Sequence, residues 1–276
     1  MARVTRIITV ANQKGGVGKT TSTVNIAAAL AQSGHRVLVI DLDPQGNAST
    51  ALGVDHHEGT EGIYEVLTSD VTIADVVQAC PDVPGLSVVP ATIDLAGAEI
   101  ELVAQVAREY RLSRAIDSYR AGHEDQVDIV LLDCPPSLGL LTLNGLVAAR
   151  ELLLPIQCEY YALEGLSQLL RTVDMVRTHL NPGLQVGAIL LTMYDGRTRL
   201  ASQVADEVRT HFGAQVLDTV IPRSVRLSEA PSYGQTVITY DPASPGAIAY
   251  REAAAQLAGM GTAPARSTDL STDNIQ

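Results

Sequence analysis

Lysine is nearly absent from this 276-residue chain. Of nineteen basic residues only Lys14 and Lys19 are lysines, and both lie in one glycine-rich run, residues 11–21, Ala-Asn-Gln-Lys-Gly-Gly-Val-Gly-Lys-Thr-Thr. The net charge is −12 at neutral pH, which argues against a protein coated in positive potential. A nucleic-acid site would therefore have to be a local arginine patch, which dimerisation could double.

Cysteine and long apolar runs are also scarce. Cys80, Cys134 and Cys158 are widely spaced and form no CxxC pair, so we expect small buried hydrophobes in a reducing compartment rather than disulfides. No run approaches eighteen uninterrupted apolar residues, which predicts that no segment spans a membrane. The chain enters its first strand without the apolar segment of a signal peptide, so a cytoplasmic location is expected.

Apolar residues nonetheless make up 46% of the chain, enough for a sizeable core. Strand-length apolar runs alternate with helical patterns, which predicts an α/β fold with a doubly wound, mostly parallel sheet flanked by helices. We expect one domain over residues 1–258 and a disordered tail over residues 259–276, without an amphipathic membrane anchor. The predicted strands are residues 7–11, 37–41, 86–89, 129–133, 151–155, 186–192 and 215–220. The predicted helices are residues 20–32, 73–79, 97–119, 140–149, 163–180, 200–212 and 247–257.

The glycine-rich run has the context of a phosphate-binding loop, because a strand precedes it and a helix follows. Glycines let backbone N–H groups converge on phosphate oxygens, and the helix N-terminus adds unpaired donors. Gly18-Lys19-Thr20 fits the end of the G-x-x-x-x-G-K-[ST] pattern, although Gln13 stands where its first glycine belongs. Lys19 should reach the β- and γ-phosphates of ATP, and Thr20 should ligate Mg²⁺. The alternative is a glycine turn with solvated lysines.

Two further motifs place aspartates just beyond buried strands. Asp41 and Asp43 occur in Asp-Leu-Asp-Pro-Gln-Gly-Asn, and burial without a partner would be costly, so they should face a nucleotide, its metal or an attacking water. A capped loop is the alternative. Asp133 ends the apolar run Ile-Val-Leu-Leu and precedes Cys-Pro-Pro-Ser, which has the Walker B form. Its carboxylate should hold Mg²⁺ through a water.

The run Lys-Gly-Gly-Val-Gly-Lys-Thr resembles the deviant Walker A motif of the ParA/MinD superfamily of P-loop ATPases. Residues 41–47, 192–199, 220–234 and 240–247 resemble the chromosomal ParA, or Soj-like, branch, so the resemblance covers roughly residues 4–258. It implies a slow, partner-stimulated ATP hydrolase. The cofactors would be ATP and Mg²⁺, and with ATP the chain would form a sandwich homodimer.

The resemblance also implies roles for individual residues. Lys14 would reach across the dimer to the partner's phosphates, and Asp43 would position the hydrolytic water. Asp133 would belong to the metal shell, and Asp41 would help to support it. The nucleotide-binding residues would be Lys14, Gly15, Gly16, Val17, Gly18, Lys19, Thr20 and Thr21 around the phosphates, and Met193, Pro222 and Arg223 beside the adenine.

Partners follow from the same resemblance. Arg197 and Arg226, with Arg199 as an addition, would bind double-stranded DNA non-specifically, although from the residues alone a surface salt bridge is the better interpretation. A ParB-type centromere-binding protein would stimulate hydrolysis, and the protein would associate with the nucleoid. No helix-turn-helix segment precedes the first strand, which fits the shorter chromosomal type. The alternatives are a MinD-like membrane-positioning ATPase, a metallocluster ATPase and an ATP-dependent amidoligase.

Overall fold

The computed structural model describes residues 5–122, 127–159 and 164–260. Its strands are β1 (Arg6–Val10), β2 (Val37–Asp41), β3 (Gln78–Ala79), β4 (Leu86–Val89), β5 (Ile129–Asp133), β6 (Glu151–Gln157), β7 (Gln185–Tyr194) and β8 (Val216–Pro222). Its helices are α1 (Lys19–Gln32), α2 (Asn47–Ala51), α3 (Ile63–Thr68), α4 (Ile73–Val76), α5 (Leu95–Val103), α6 (Arg111–Gly122), α7 (Leu140–Ala148), α8 (Glu164–His179), α9 (Arg199–Phe212), α10 (Val225–Glu229), α11 (Val237–Tyr240) and α12 (Pro245–Met260). Short 3₁₀ helices span Arg108–Tyr110, Gly213–Gln215 and Ala230–Tyr233.

Within those ranges the eight strands form one sheet in the order β3-β4-β2-β5-β1-β6-β7-β8. Every neighbouring pair is parallel except β3 and β4. The chain places β5 between β1 and β2, which puts the reversal of strand order at the centre of the sheet. The predicted doubly wound, mostly parallel fold is confirmed.

Continuous apolar strands are explained by burial on both faces of the sheet. In β2, Leu38 and Ile40 pack into one core layer, while Val39 packs into the other. The first layer includes buried residues of α3 and α5 to α9, and the second includes those of α1, α2, α11 and α12. No helix in the described part of the chain is long and apolar enough to cross a bilayer.

The predicted helix over residues 97–119 is wrong, because two helices with an intervening turn occupy this region. Helix α5 stops at Val103, Ala107 adopts a left-handed φ of 52°, and α6 starts at Arg111. The Arg108 guanidinium donates to the Val103 carbonyl at 2.8 Å, and Leu112 N–H donates to Asn144 Oδ1 at 3.2 Å. One side chain of the turn and one of α7 thus satisfy backbone groups that a continuous helix would have paired internally.

The predicted helix over residues 73–79 is also too long. It ends at Val76, and Gln78 and Ala79 form the antiparallel edge strand β3 against β4. The backbone pairing available along β4 outweighs local helix propensity here. Helices α2, α3, α10 and α11 were not predicted, since each is only four to six residues long.

The C-terminal boundary falls slightly later than predicted. Helix α12 continues through Gly259 and Met260, which the sequence assigns to the tail. Residues 261–276 of the predicted tail lie outside the described residues, as does residue 163 at the start of the predicted helix over residues 163–180.

Candidate active site

Three motif-bearing loops leave the same edge of the sheet. In the strand register, Val10 of β1 and Asp41 of β2 each pair with Asp133 of β5. The loops that follow these strands therefore start side by side, at the carboxyl ends where open α/β sheets bind ligands.

The glycine-rich loop requires glycine at two of its positions. Gly16 and Gly18 have φ angles of 74° and 87°, in the left-handed region that side chains strongly disfavour. Gly18, the N-cap of α1, has no side chain that could cap the helix, and the first turn of α1 holds no acidic residue. The helix therefore presents free N–H groups and its positive dipole end to an anion.

A cavity of about 650 Å³ opens beside this loop. Its lining also includes Asp43, residues near the ends of β7 and β8, and residues of α10. The structure thus brings ten of the sequence-predicted residues to one cavity: Gly15, Gly16, Gly18, Lys19, Thr20, Thr21, Asp43, Met193, Pro222 and Arg223. Val17 lies buried beneath the loop, where its carbonyl accepts a 2.8 Å hydrogen bond from the Thr192 hydroxyl.

Lys19 is held inside the loop rather than in solvent. Its side chain is buried, and Nζ donates to the Lys14 carbonyl at 3.1 Å. Burial lowers the pKa of Lys19, and the nearby carboxylate of Asp133 opposes that effect. The ammonium is thus partly desolvated next to the cavity, where an anion would be bound strongly.

Two threonines of α1 hold the Asp133 carboxylate. Thr20 Oγ1 donates to Asp133 Oδ2 at 2.7 Å, and Thr23 Oγ1 donates to Oδ1 at 2.8 Å. Asp133 is fully buried; burial and then repulsion from Asp41 raise its pKa. A buried carboxylate beside a hydroxyl suits Mg²⁺, whose charge would favour the ionised form. No group of three or more His, Cys, Asp or Glu side chains in the described ranges is placed to hold a metal, so phosphate and water would complete the shell.

The two aspartates after β2 have different surroundings. Asp43 lines the cavity, and its Oδ1 accepts a hydrogen bond from Gln45 N–H at 3.0 Å. Asp41 lies behind it, fully buried: Oδ2 accepts from the amide and hydroxyl of Ser49 at 2.9 and 2.8 Å, and Oδ1 from Asp43 N–H at 3.1 Å. In this conformation Asp41 anchors the loop that carries Asp43.

Lys14 is turned away from the cavity. Its N–H donates to Asn12 Oδ1 at 3.0 Å, and its ammonium forms an ion pair with Glu159 just beyond β6. The Asn12 side chain in turn donates to the Pro155 carbonyl at 2.7 Å. The predicted trans-acting lysine is therefore held by a carboxylate of its own chain.

The three arginines assigned to DNA lie outside the cavity. Arg197 forms a two-pronged ion pair with Asp195 at 2.9 and 2.8 Å, with its side chain 90% exposed. Arg226 pairs with Glu229 at 2.9 Å and with Asp241 at 3.4 Å. Arg199, the third, is exposed at the start of α9.

Known proteins match this chain over most of its length. The family described as an AAA domain matches residues 5–186. The chain is 52% identical over 256 residues to the sporulation initiation inhibitor protein Soj of Bacillus subtilis (strain 168), covering 93% of this chain and 99% of Soj. It is 52% identical over 249 residues to the chromosome partitioning protein ParA of Myxococcus xanthus, covering 90% of this chain and 86% of ParA.

The chain belongs to the ParA and Soj family of chromosome-partitioning ATPases.

A solved structure is also similar to this ParA-family chain. It is a cobyrinic acid a,c-diamide synthase from Mycobacterium smegmatis with a bound ATP analogue and magnesium. The two chains are 42% identical and superpose with a TM-score of 0.79, covering 92% of this chain and 95% of the other. Both sequence and structure therefore support a nucleotide and Mg²⁺ as the ligands of this family.

Sequence reasoning missed several residues that shape the site of this ParA-family chain. Thr23 follows Thr20 by three residues and so lies on the same face of α1, a spacing that could have revealed it. Ser49, Thr192 and Glu159 gave no such signal, since their partners Asp41, Val17 and Lys14 meet them only in the folded chain.

Proposed function

We propose that this chain is a ParA-type ATPase that binds Mg-ATP, forms a homodimer with ATP and, as a dimer, binds DNA without sequence preference. Hydrolysis returns it to the monomer and releases DNA, and a ParB-type centromere-binding protein stimulates this step. The observation that carries the proposal is the convergence of the deviant phosphate loop, the Thr20–Asp133 pair and Asp43 at one cavity. The partitioning roles named for the relatives support it.

The residues at the cavity divide the chemistry between them. The loop amides and Lys19 would hold the β- and γ-phosphates, while Thr20 and Asp133 would hold Mg²⁺. When bound, Mg²⁺ would neutralise charge on the phosphate oxygens. Asp43 would orient a water for in-line attack on the γ-phosphate, since it lines the cavity while Asp41 is occupied by Ser49.

The far side of the cavity suits a purine. Met193 and Pro222 supply an apolar wall beside Arg223, whose N–H donates to the Tyr194 carbonyl at 3.3 Å. A site that combines apolar surface with a few fixed polar groups is typical for flat heteroaromatic ligands. We therefore assign the adenine to Met193, Pro222 and Arg223.

The ATP-dependent dimer and its contacts with DNA complete the proposal. Lys14 would leave Glu159 and reach the partner's phosphates, so that each γ-phosphate adds an attraction present only in the dimer. Arg197 and Arg226, with Arg199 added, would contact DNA phosphates, and nucleoid association would follow. An acidic chain is compatible with a basic segment of a ParB-type partner.

The deciding experiment measures binding to a DNA duplex of arbitrary sequence with ATP, ADP or no nucleotide, at two salt concentrations. We expect binding only with ATP, weaker at higher salt because arginine–phosphate contacts release counterions. Arg226→Ala should lose most of it, whereas Arg251→Ala, an arginine bonded to the Pro242 and Ile238 carbonyls, should not. Absence of binding in every nucleotide state would contradict the DNA-bound dimer.

One relative favours a second candidate function, ATP-dependent amide formation, because the similar solved structure carries that activity in its name. Such an enzyme needs a second substrate next to the γ-phosphate. Incubation with ATP, glutamine and cobyrinic acid, followed by mass spectrometry, tests this candidate directly. We expect ADP without an amidated product, and formation of the diamide would replace the partitioning proposal.

A further inference from the structure

Two of the three arginines assigned to DNA, Arg197 and Arg226, are already paired with carboxylates of the same chain. Asp195 Oδ1 and Oδ2 accept from two nitrogens of Arg197, the arrangement a phosphate would adopt. Glu229, three residues after Arg226 on α10, accepts from Arg226 Nη1 at 2.9 Å. Asp241, at the end of α11, lies 3.4 Å from Nε of the same guanidinium.

These carboxylates compete for the same N–H donors that a DNA phosphate needs. A guanidinium has five donors in a fixed planar fork, and the two-pronged edge of Arg197 is fully used by Asp195. These hydrogen bonds from Arg197 lower the pKa of Asp195 to about 2, so Asp195 is ionised at neutral pH. A phosphate that approaches Arg197 at this edge, or Arg226 at Nη1 or Nε, must therefore displace a charged oxygen rather than water.

These ion pairs should contribute little to the stability of the fold. The side chains of Arg197 and Arg226 are 90% and 54% exposed, and such solvated pairs contribute little to stability. Asp195 also accepts the Arg197 N–H in a tight turn, a role that asparagine retains. The negative charge at these positions is thus separable from the local structure.

We propose that Asp195, Glu229 and Asp241 are built-in competitors of DNA phosphate, which hold the affinity of the DNA surface below what its arginines alone would provide. This inference rests on the proposed function, because it concerns the same arginines. A competing carboxylate weakens each contact without removing it, so the bound dimer exchanges between DNA positions faster than a fully basic surface would allow.

A double-mutant cycle separates competition from a general effect of net charge. Affinity for the same duplex is measured with ATP at low salt for wild type, Glu229→Gln, Arg226→Ala and the double variant. We expect Glu229→Gln alone to strengthen binding roughly two- to five-fold, the range that exposed ion pairs allow. In the Arg226→Ala background the gain should disappear, because the competitor has no arginine to occupy.

The other pair supplies the matched controls. Glu229→Gln should keep its effect in an Arg197→Ala background, and Asp195→Asn should lose its effect there. Asp117→Asn removes an exposed carboxylate of α6, which is paired with Arg120 at 3.4 Å. Helix α6 packs on one face of the sheet and Leu227 of α10 on the other, so this variant should give no gain. Leu227 and Ser228 line the nucleotide cavity, so ATP affinity is measured alongside for every variant.

The outcomes distinguish failure of the carboxylate competition from failure of the proposed function. If wild type binds DNA and Arg226→Ala weakens it, but Glu229→Gln gives no gain, the competition is refuted while the proposed function stands. An equal gain in the Arg226→Ala background refutes it too, since it would reflect net charge alone. If no variant binds DNA with ATP, the proposed function fails and this inference fails with it.

Discussion

Single side chains decide which groups of this protein face the nucleotide and which are held back. Two threonine hydroxyls donate hydrogen bonds to Asp133, whereas the Ser49 hydroxyl donates to Asp41. Two carboxylates at the ends of adjacent strands therefore have different surroundings. Lys19 lies inside the phosphate loop, while Lys14, five residues earlier, points to Glu159. Residue type alone does not separate these cases.

For single residues, we predict that Lys14→Ala abolishes ATP-dependent dimerisation. The proposed role of Lys14 is to supply positive charge to the partner's phosphates, which no other residue of the loop is placed to do. Analytical ultracentrifugation with a slowly hydrolysed ATP analogue measures the monomer–dimer equilibrium. Nucleotide affinity of the monomer serves as the control and should change little, because Lys14 does not line the cavity. Normal dimers of Lys14→Ala would refute the trans role.

Among the elements, α7 links the loop that follows Asp133 to the rest of the protein. It follows Asp133 by seven residues and is fastened by side chains from its neighbours. Glu99 of α5 lies 3.5 Å from Leu141 N–H, and Asn144 of α7 bonds the Arg108 carbonyl before α6 and Leu112 N–H in the first turn of α6. In the proposed function, these contacts would couple a shift of the loop after Asp133 to α5 and α6.

The C-terminus of α7 provides a stability prediction. Asn181 Nδ2 donates to the Leu146, Val147 and Ala149 carbonyls at 3.1, 3.0 and 2.6 Å. Asn181→Ala leaves these groups without that donor and should lower the free energy of unfolding by about 1–3 kcal/mol. Urea denaturation measures the change. Gln168→Ala, at an exposed position of α8, is the control and should stay within about 0.5 kcal/mol of wild type. Equal stability of both variants would show that the cap is dispensable.

The sequence predicted the bounds of an element correctly where every residue of that element is buried. Strands β2 and β5 were placed correctly to the residue because every position is buried and apolar up to the final aspartate. The break between α5 and α6 was missed because the apolar pattern runs through it. The interruption depends on Asn144 and Arg108, whose partners lie up to 36 residues apart in sequence.

For the whole molecule we predict that Mg-ATP raises the thermal unfolding temperature and that chelation of Mg²⁺ by EDTA removes most of the gain. At a ligand concentration one hundred times Kd, binding contributes about 2.7 kcal/mol to stability. Without the cation, the phosphate oxygens would lose the positive charge that Thr20 and Asp133 are proposed to hold beside them. Differential scanning fluorimetry with ATP, ATP plus EDTA, and EDTA alone measures the shifts. An undiminished shift in EDTA would argue against the Thr20–Asp133 metal site.

The sequence by itself determined the alternation of the longer strands and helices, the glycine positions of the phosphate loop and the presence of aspartates at strand ends, since these depend on local periodicity and backbone conformation. Only the tertiary structure decided that Thr20 and Thr23 hold Asp133, that Glu159 holds Lys14, and that two of the arginines assigned to DNA, Arg197 and Arg226, pair with carboxylates of their own chain. Contacts such as Thr20–Asp133 join residues 113 apart, and the order of the strands in the sheet brings them together. Hydrogen bonds and ion pairs require matched positions in space, which no local pattern encodes.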